Sequence, residues 1–480
     1  MVVVFLSGLI VSSLMGRRGG VSGNISTQFS DSIIAQNEKF KADYPLEYDT
    51  WAMTEDTSFK SKYDSSQEVD VLERRPELVV MWAGYAFSRH YNTPRGHKHA
   101  LEDMRKILRT GNPGIAIGTD SIAADMQPAT CWACKSPDVP RMMRELGTGE
   151  FYHKRWSELG AEILNPIGCS DCHDARTMDL KPARPALYEA WATAGKDIKR
   201  ASHQEMRSLV CAQCHTEYYL NKQTDYLIFP QRYGLTCEDA ERFYDEIGYY
   251  DYIHPLSGAK ILKAQHPDYE MAKQGIHAQS GVACADCHMP HKSEGDVEYT
   301  DHHILSPLAR IDRTCQTCHR KEAEELRQSV YERQEKCMEV RQRAERELAR
   351  AHFEAKFIRD NGATEAELKP IQDLLRKSQW RWDYAIASHG AAFHATQEAT
   401  RLLSHSVEYA QQARQQIARI AARHGHTGEI PVPDYSTKAK AQAAIGLDMP
   451  TLERNKKTFL DQIVPKWIED AKKNGKLIEL

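Results

Sequence analysis

The sequence predicts a mainly α protein, and three observations predict it. Sustained strand alternation is hard to find anywhere in the 480 residues. After His319 the composition becomes charged and helix-forming over long stretches. Before that point the chain is turn-rich, as at Thr110-Gly-Asn-Pro-Gly114, Lys181-Pro-Ala-Arg-Pro185 and His254-Pro-Leu-Ser-Gly258, and it is punctuated by five Cys-x-x-Cys pairs.

The chain begins with an apolar run, Met1 to Met15, followed by Gly16-Arg17-Arg18. The run is short for a membrane span and has the length of a signal-peptide apolar region. No positive leader precedes it, so the first methionine reads as lying inside a longer signal; an uncleaved anchor is the other reading. Residues 1–24 are therefore expected to be a signal peptide or N-terminal anchor. No later stretch is apolar enough to cross a bilayer, so the mature protein should be soluble or peripheral.

The acid–base balance is near neutral, 63 Lys plus Arg against 67 Asp plus Glu, which gives no support to nucleic-acid binding or to an acidic disordered tail.

Toward the C-terminus, Leu326, Val330, Cys337, Val340, Ala344, Leu348 and Ala351 mark an apolar stripe at helical spacing, suited to helix-on-helix or subunit contact. Asn361-Gly362 breaks it, and Thr364-Glu-Ala-Glu367 reads as a capping box for the next helix. Another helix is expected from about Trp380 toward Arg423, ending near Gly425. After Ile430-Pro-Val-Pro433, a last helix should start near Pro450.

Ten of the twelve cysteines fall in the motifs Cys131-Trp-Ala-Cys134-Lys135, Cys169-Ser-Asp-Cys172-His173, Cys211-Ala-Gln-Cys214-His215, Cys284-Ala-Asp-Cys287-His288 and Cys315-Gln-Thr-Cys318-His319. Cys237 and Cys337 remain, free or paired. In a Cys-x-x-Cys-His motif two thiols add to the vinyl groups of a porphyrin and the histidine becomes an axial iron ligand. Zinc knuckles do not require a histidine directly after the second cysteine. The reading is five covalently bound haem c groups. Each porphyrin is a large apolar plate that supplies interior in place of strands. The fold expected is a compact multihaem cytochrome c domain with long C-terminal helices: a haem-bearing core over 25–320, helices completing it over 321–425, and an extension over 426–480.

Lys135 ends the first motif where the others have histidine. Lysine ligates iron only as the neutral amine, so the metal must drive its deprotonation. An electron-transfer haem gains nothing evident from that, whereas a haem with an open distal face is tuned by its proximal ligand. A pure electron conduit would carry five histidine-ended motifs.

Cys-Trp-x-Cys-Lys followed by four Cys-x-x-Cys-His motifs resembles the pentahaem, ammonia-forming cytochrome c nitrite reductases. The likeness runs from about Trp82 to His394. It extends to Arg95-Gly-His97, Leu108-Arg109-Thr-Gly111, Cys214-His215-Thr-Glu217-Tyr218-Tyr219, Lys263-Ala-Gln265-His266-Pro267, Thr300-Asp-His302 and Trp380-Arg-Trp-Asp383 through His394.

The resemblance implies six-electron reduction of nitrite to ammonium at the Lys135 haem. Arg109, Tyr218 and His266 would stand on its open side. A guanidinium suits a small planar anion, and tyrosine and histidine suit proton delivery. Taken singly, each of these residue types is more often a solvated charge, a core ring or a surface group. The resemblance also implies calcium held by Glu217, the Gln265 amide oxygen and the backbone carbonyls of Tyr218 and Lys263, all oxygens as a hard cation requires. It pairs the histidine haems with second histidines: His302 for the second in chain order, His97 for the third, His394 for the fourth and His277 for the fifth. Counting alone does not choose among the 21 histidines, and His303 and His389 remain alternatives to His302 and His394. The resemblance further implies a periplasmic homodimer, joined through its long helices. Its electrons would come from a quinol-oxidising multihaem membrane cytochrome or a small soluble cytochrome.

Overall fold

Long helices need either strong propensity or a face to bury, and the C-terminal part of this chain has both. A computed structural model describes residues 33–111 and 127–478. The apolar leader over residues 1–24 and the end of the Thr110–Gly114 turn lie outside that range. Among the described residues the protein is mainly helical, with three two-stranded antiparallel ribbons as its sheet content. No described helix is long and apolar enough to cross a membrane.

The first long helix, Ala323–Asp360, packs against the second, Glu365–Ala387, and the third, Thr396–Arg423. Val330, Cys337, Ala344, Leu348 and Ala351 of the stripe are buried, with Leu326 and Val340 partly so. Its polar side carries acid–base pairs one turn apart, Arg341 with Glu345 at 2.8 Å and Arg350 with Glu354 at 2.7 Å. Arg414 of the third helix reaches across to Glu354 at 2.9 Å and Glu347 at 2.6 Å. The expected capping box at Thr364 is present: its hydroxyl accepts from the Glu367 N–H, and the Glu367 carboxylate accepts from the Thr364 N–H at 2.9 Å.

One helix expected from Trp380 to Arg423 is divided. Trp380 lies inside the second long helix, which stops at Ala387, and Ser388 is extended. A short turn, Ala391–His394, precedes the third helix. The break has a physical cause. A Cβ at Gly390 would stand 2.3 Å from the His394 ring, so the residue must be glycine for the chain to turn and aim that ring inward. The last helix likewise proves to be two, Met449–Gln462 and Val464–Lys473, divided at Ile463 ahead of Pro465.

The haem-motif half is built of short helices and turns tied to the second long helix. Trp380 donates its indole N–H to the Cys237 carbonyl at 3.1 Å, Arg381 pairs with Glu241 at 2.8 Å, and the buried Lys263 ammonium meets Asp383 at 2.8 Å. None of the twelve cysteines is in a disulfide; Cys237 and Cys337 are buried thiols.

Where the two halves meet, the His254 and His352 rings stack at 3.6 Å in a fully buried polar network. The His352 nitrogens face Ser257 and Gln379, each at 2.9 Å, and His254 faces the Val80 carbonyl at 2.8 Å. Burial lowers His352 to about 4 and pushes His254 in the same direction. The unfolded chain therefore binds protons here that the folded chain refuses. Stability is full above about pH 6.5 and is lost as pH falls toward 4, by about 2–3 kcal/mol for His352 alone. Thermal melting of the holoprotein between pH 7 and 4.5 should show this slope, and His352→Gln should flatten it.

Candidate haem and cation sites

Each Cys-x-x-Cys motif occupies about one helical turn, which puts its two cysteines on one side. The Asp of Cys-x-Asp-Cys caps that turn from within: Asp171 accepts from the Gly168 N–H at 2.9 Å and Asp286 from the Ala283 N–H at 2.7 Å. The N–H groups of His173, His215 and His319 each donate to the carbonyl of their motif's first cysteine at 2.9 Å. Lys135 differs: its N–H donates to the Trp132 carbonyl, also at 2.9 Å.

Metal–imidazole bonds of about 2 Å on both faces of one iron put two ring centroids about 6 Å apart. The structure brings four such pairs together: His97 with His215 at 6.5 Å, His173 with His302 at 6.1 Å, His319 with His277 at 6.2 Å and His288 with His394 at 6.1 Å. The other ring nitrogen is engaged in several of them. His173 Nδ1 faces the Met178 carbonyl at 2.7 Å, His302 Nδ1 the Thr300 carbonyl at 2.8 Å, and His288 Nδ1 the Leu305 carbonyl at 3.0 Å. That fixes the tautomer and leaves Nε2 for a metal. The residues present thus fit haem. His303 and His389 lie elsewhere: the His303 carbonyl accepts from Arg310 at 2.7 Å, and the His389 ring lies 5.4 Å from His266.

Around Lys135 the arrangement is different. Arg184 is buried and donates to the Ala133 carbonyl, to the Ser136 carbonyl at 2.9 Å and to Asp171 at 2.6 Å, so it clamps the turn on both sides of Lys135. Tyr218 lies among Arg109, Cys131 and Cys134, and burial pushes its phenol well above the ordinary range. The Arg109 guanidinium rests 4.7 Å over the Phe87 ring. His266 Nδ1 is 3.3 Å from the Cys214 carbonyl, and burial lowers this ring to about 3. Sequence reasoning missed Asp268, which faces His215 at 3.3 Å and His266 at 3.4 Å, and Glu270, which accepts from the Thr216 hydroxyl at 2.6 Å and the Glu217 N–H at 3.1 Å. Both stand on the short helix that His266-Pro267 opens, and an acidic first turn beside a candidate site was the available signal. Glu270 knots the segment carrying Tyr218 to the segment carrying His266.

The predicted cation ligands adjoin one another. Glu217 is buried and accepts from the Gln265 N–H at 2.7 Å and the Tyr244 hydroxyl at 2.9 Å. The Gln265 amide lies 3.0 Å from the Lys263 carbonyl. Rotating that amide exchanges nitrogen for oxygen and sets two oxygens together beside a buried carboxylate, which suits a hard cation. Burial, reinforced by the neighbouring carboxylates Glu270 and Asp251, pushes Glu217 well up, so a positive charge here would relieve a real cost.

His302→Ala is expected to convert one low-spin haem to high-spin with all haems retained, and His303→Ala to leave the spectrum unchanged. His394→Ala and His389→Ala should differ in the same way. Optical and electron paramagnetic resonance spectra, with haem content measured, check both pairs.

The cytochrome c552 family model matches residues 36–476. Cytochrome c-552 of Porphyromonas gingivalis is 60% identical over 481 residues, covering 100% of this chain and 95% of that protein. The cytochrome c-552 of Bacteroides thetaiotaomicron is 57% identical over 482 residues, covering 100% and 96%. A solved structure of cytochrome c nitrite reductase from Desulfovibrio desulfuricans, described for two calcium sites in its catalytic subunit (NrfA), superposes with a TM-score of 0.74 at 28% identity. The match covers 87% of this chain and 89% of that one. The chain belongs to the cytochrome c552 family, and covalently attached haem is its cofactor.

Proposed function

We propose that this protein reduces nitrite to ammonium, taking up six electrons and eight protons per nitrite and releasing two waters. Its site would be a haem ligated by Lys135 and supplied by four haems capped on both faces by histidine. The asymmetry of the five motifs carries the reading. Four proximal histidines each face a second histidine ring at 6.1–6.5 Å, whereas the motif ending in Lys135 is surrounded by Arg109, Tyr218 and His266. The solved nitrite reductase of similar fold supports it further.

When bound, the Lys135 haem supplies an open iron position and passes electrons to substrate. The protein's side chains do the rest. Arg109, steadied over Phe87, offers a planar pair of donors to the anion. Tyr218 keeps its phenol proton and presents a donor to a nitrite oxygen as N–O bonds are cleaved. The neutral His266 ring would have to turn its one N–H from the Cys214 carbonyl or Asp268 to join it. The Cys134 and Cys214 sulfurs adjoin one another, as do those of Cys211 and Cys284. The attachment edges of the first, third and fourth haems would then be neighbours, a short route for electrons. Calcium held by Glu217, Gln265, and the carbonyls of Tyr218 and Lys263 would fix Tyr218 and His266 at once. The protein would work in the periplasm as a homodimer joined through the long helices. It would draw electrons from a quinol-oxidising multihaem membrane cytochrome or a small soluble cytochrome.

Reduced methyl viologen and nitrite given to fully loaded holoprotein should yield ammonium; its absence overturns the reading. Lys135→His should keep the haem attached yet reduce turnover at least about tenfold, measured by the same assay. Arg109→Ala should lower kcat/KM for nitrite about a hundredfold and leave the low-spin haem spectra alone.

A further inference from the structure

The two terminal helices make contacts that the haem motifs themselves do not require. On Met449–Gln462 the buried side chains are Lys456 and Phe459. The Lys456 ammonium is buried, and it donates to the Thr110 carbonyl at 2.8 Å and lies 3.4 Å from the Thr110 hydroxyl. The Thr110 hydroxyl in turn donates to the Met104 carbonyl, closing the end of the helix that leads into Arg109. The Phe459 ring lies against Gly111, which has φ +55°. A Cβ at Gly111 would stand 2.5 Å from the Phe459 ring, so the helix presses directly on backbone.

The same helix pair reaches the first haem motif from the other side. Phe459 and Trp467 pack on Trp156 at 5.7 and 5.4 Å. Trp156 stacks on Trp132 at 4.7 Å with the planes 10° apart, and its carbonyl accepts from the Trp132 indole N–H at 2.9 Å. Trp132 stands between Cys131 and Cys134.

We infer that the terminal helix pair is a strap that sets where Arg109 stands relative to the Lys135 haem, and that Lys456 is its positioning residue. The inference rests on the nitrite-reducing reading of the site. Arg109 is held at two points: its guanidinium lies over Phe87, and its backbone is fixed one residue on by Lys456 at Thr110. Burying a lysine ammonium is costly unless it is well bonded. Here the ammonium bonds to Thr110, the residue next to the arginine that would hold the anion. The strap grips the arginine arm and the haem-attachment turn together, so it fixes the distance between them.

The test compares nitrite with hydroxylamine, which is uncharged at neutral pH and makes little demand on a guanidinium. Wild-type holoprotein is titrated with nitrite, following the high-spin haem spectrum, and then assayed with reduced methyl viologen. Nitrite binding without ammonium formation sinks the functional reading and leaves the strap test intact; a wild-type protein that binds no nitrite overturns both.

Lys456→Met should weaken nitrite binding and raise its KM about tenfold, with haem content and low-spin spectra unchanged and hydroxylamine KM within about twofold. Lys456→Arg, which keeps a buried donor, should return nitrite KM to within about threefold of wild type. An unchanged nitrite affinity in Lys456→Met, or equal losses for both substrates, overturns the inference. Should Lys456→Met not accumulate with haem, Phe459→Leu, which loosens the same strap over Gly111, is read by the same two criteria.

Discussion

Four pairs of imidazole rings stand 6.1–6.5 Å apart, the spacing that two ligands on opposite faces of one iron would need, and keeping that spacing organises the haem-bearing half of this protein. One imidazole of each pair comes with the Cys-x-x-Cys turn and is placed by local hydrogen bonding, as when the His173 N–H donates to the Cys169 carbonyl. Its partner must arrive from a distant segment and stop about 6 Å from it. His302 is held by the extended stretch after the last ribbon, where its N–H donates to Thr50 at 3.0 Å. His394 is set by the kink after the second long helix, and His97 by the turn ahead of the helix Ala100–Lys106. The short helices, the turns and the broken long helix all meet that demand. A chain free to build regular layers would have kept the helix from Trp380 to Arg423 whole.

The same requirement explains what is buried. Plates carried inside the fold leave the chain few large apolar surfaces of its own to pair. The interior behind the haem motifs is therefore aromatic and polar in mixture: Trp82 against Trp382 at 5.6 Å, Tyr244 against Trp380 at 5.6 Å, and the Lys263–Asp383 pair between them and the site. The Lys263 and Asp383 charges satisfy one another, as buried charges need. Glu217 has no such opposite charge beside it among the described residues. Its neighbours are donors and further carboxylates, Glu270 and Asp251, and the balance there is short of one positive charge. A cation bound by oxygens would supply it.

What the sequence reveals follows from how local each feature is. The five attachment turns were legible because the chemistry fixes their residues at adjacent positions. The capping box at Thr364 and the stripe from Leu326 to Ala351 were legible for the same reason. The distal histidines were not derivable by pattern: nothing near His302 separates it from His303, and the choice between them depends on which ring the tertiary structure turns toward His173. The likeness to a known family supplied an assignment, and the ring distances now give a physical reason for it. Asp268, Glu270 and Arg184 act across segments far apart in the chain, and each looks locally like an ordinary helix-end or turn residue. The division at Ser388–Gly390 was missed because the helix-forming sequence on both sides outweighs one glycine read in isolation, and only the need to aim His394 shows what Gly390 is for.

A vacant coordination position makes a different demand from a filled one. In a closed haem the second histidine is itself a tether, and bond formation holds both segments in register. An open haem has no such tether, so the groups on its distal side must be placed by the protein alone. Arg109, Tyr218 and His266, the residues proposed for such a side, come from three separate segments, and each has its own anchor. Tyr218 runs straight into the ribbon pairing Tyr219 with Ile228, His266 is followed by Pro267 and a helix carrying Asp268 and Glu270, and Arg109 is followed by Thr110 under Lys456. The first two anchors are knotted together by Glu270. The third is independent of them and comes from the helix Met449–Gln462, far along the chain from the segments that carry the other two.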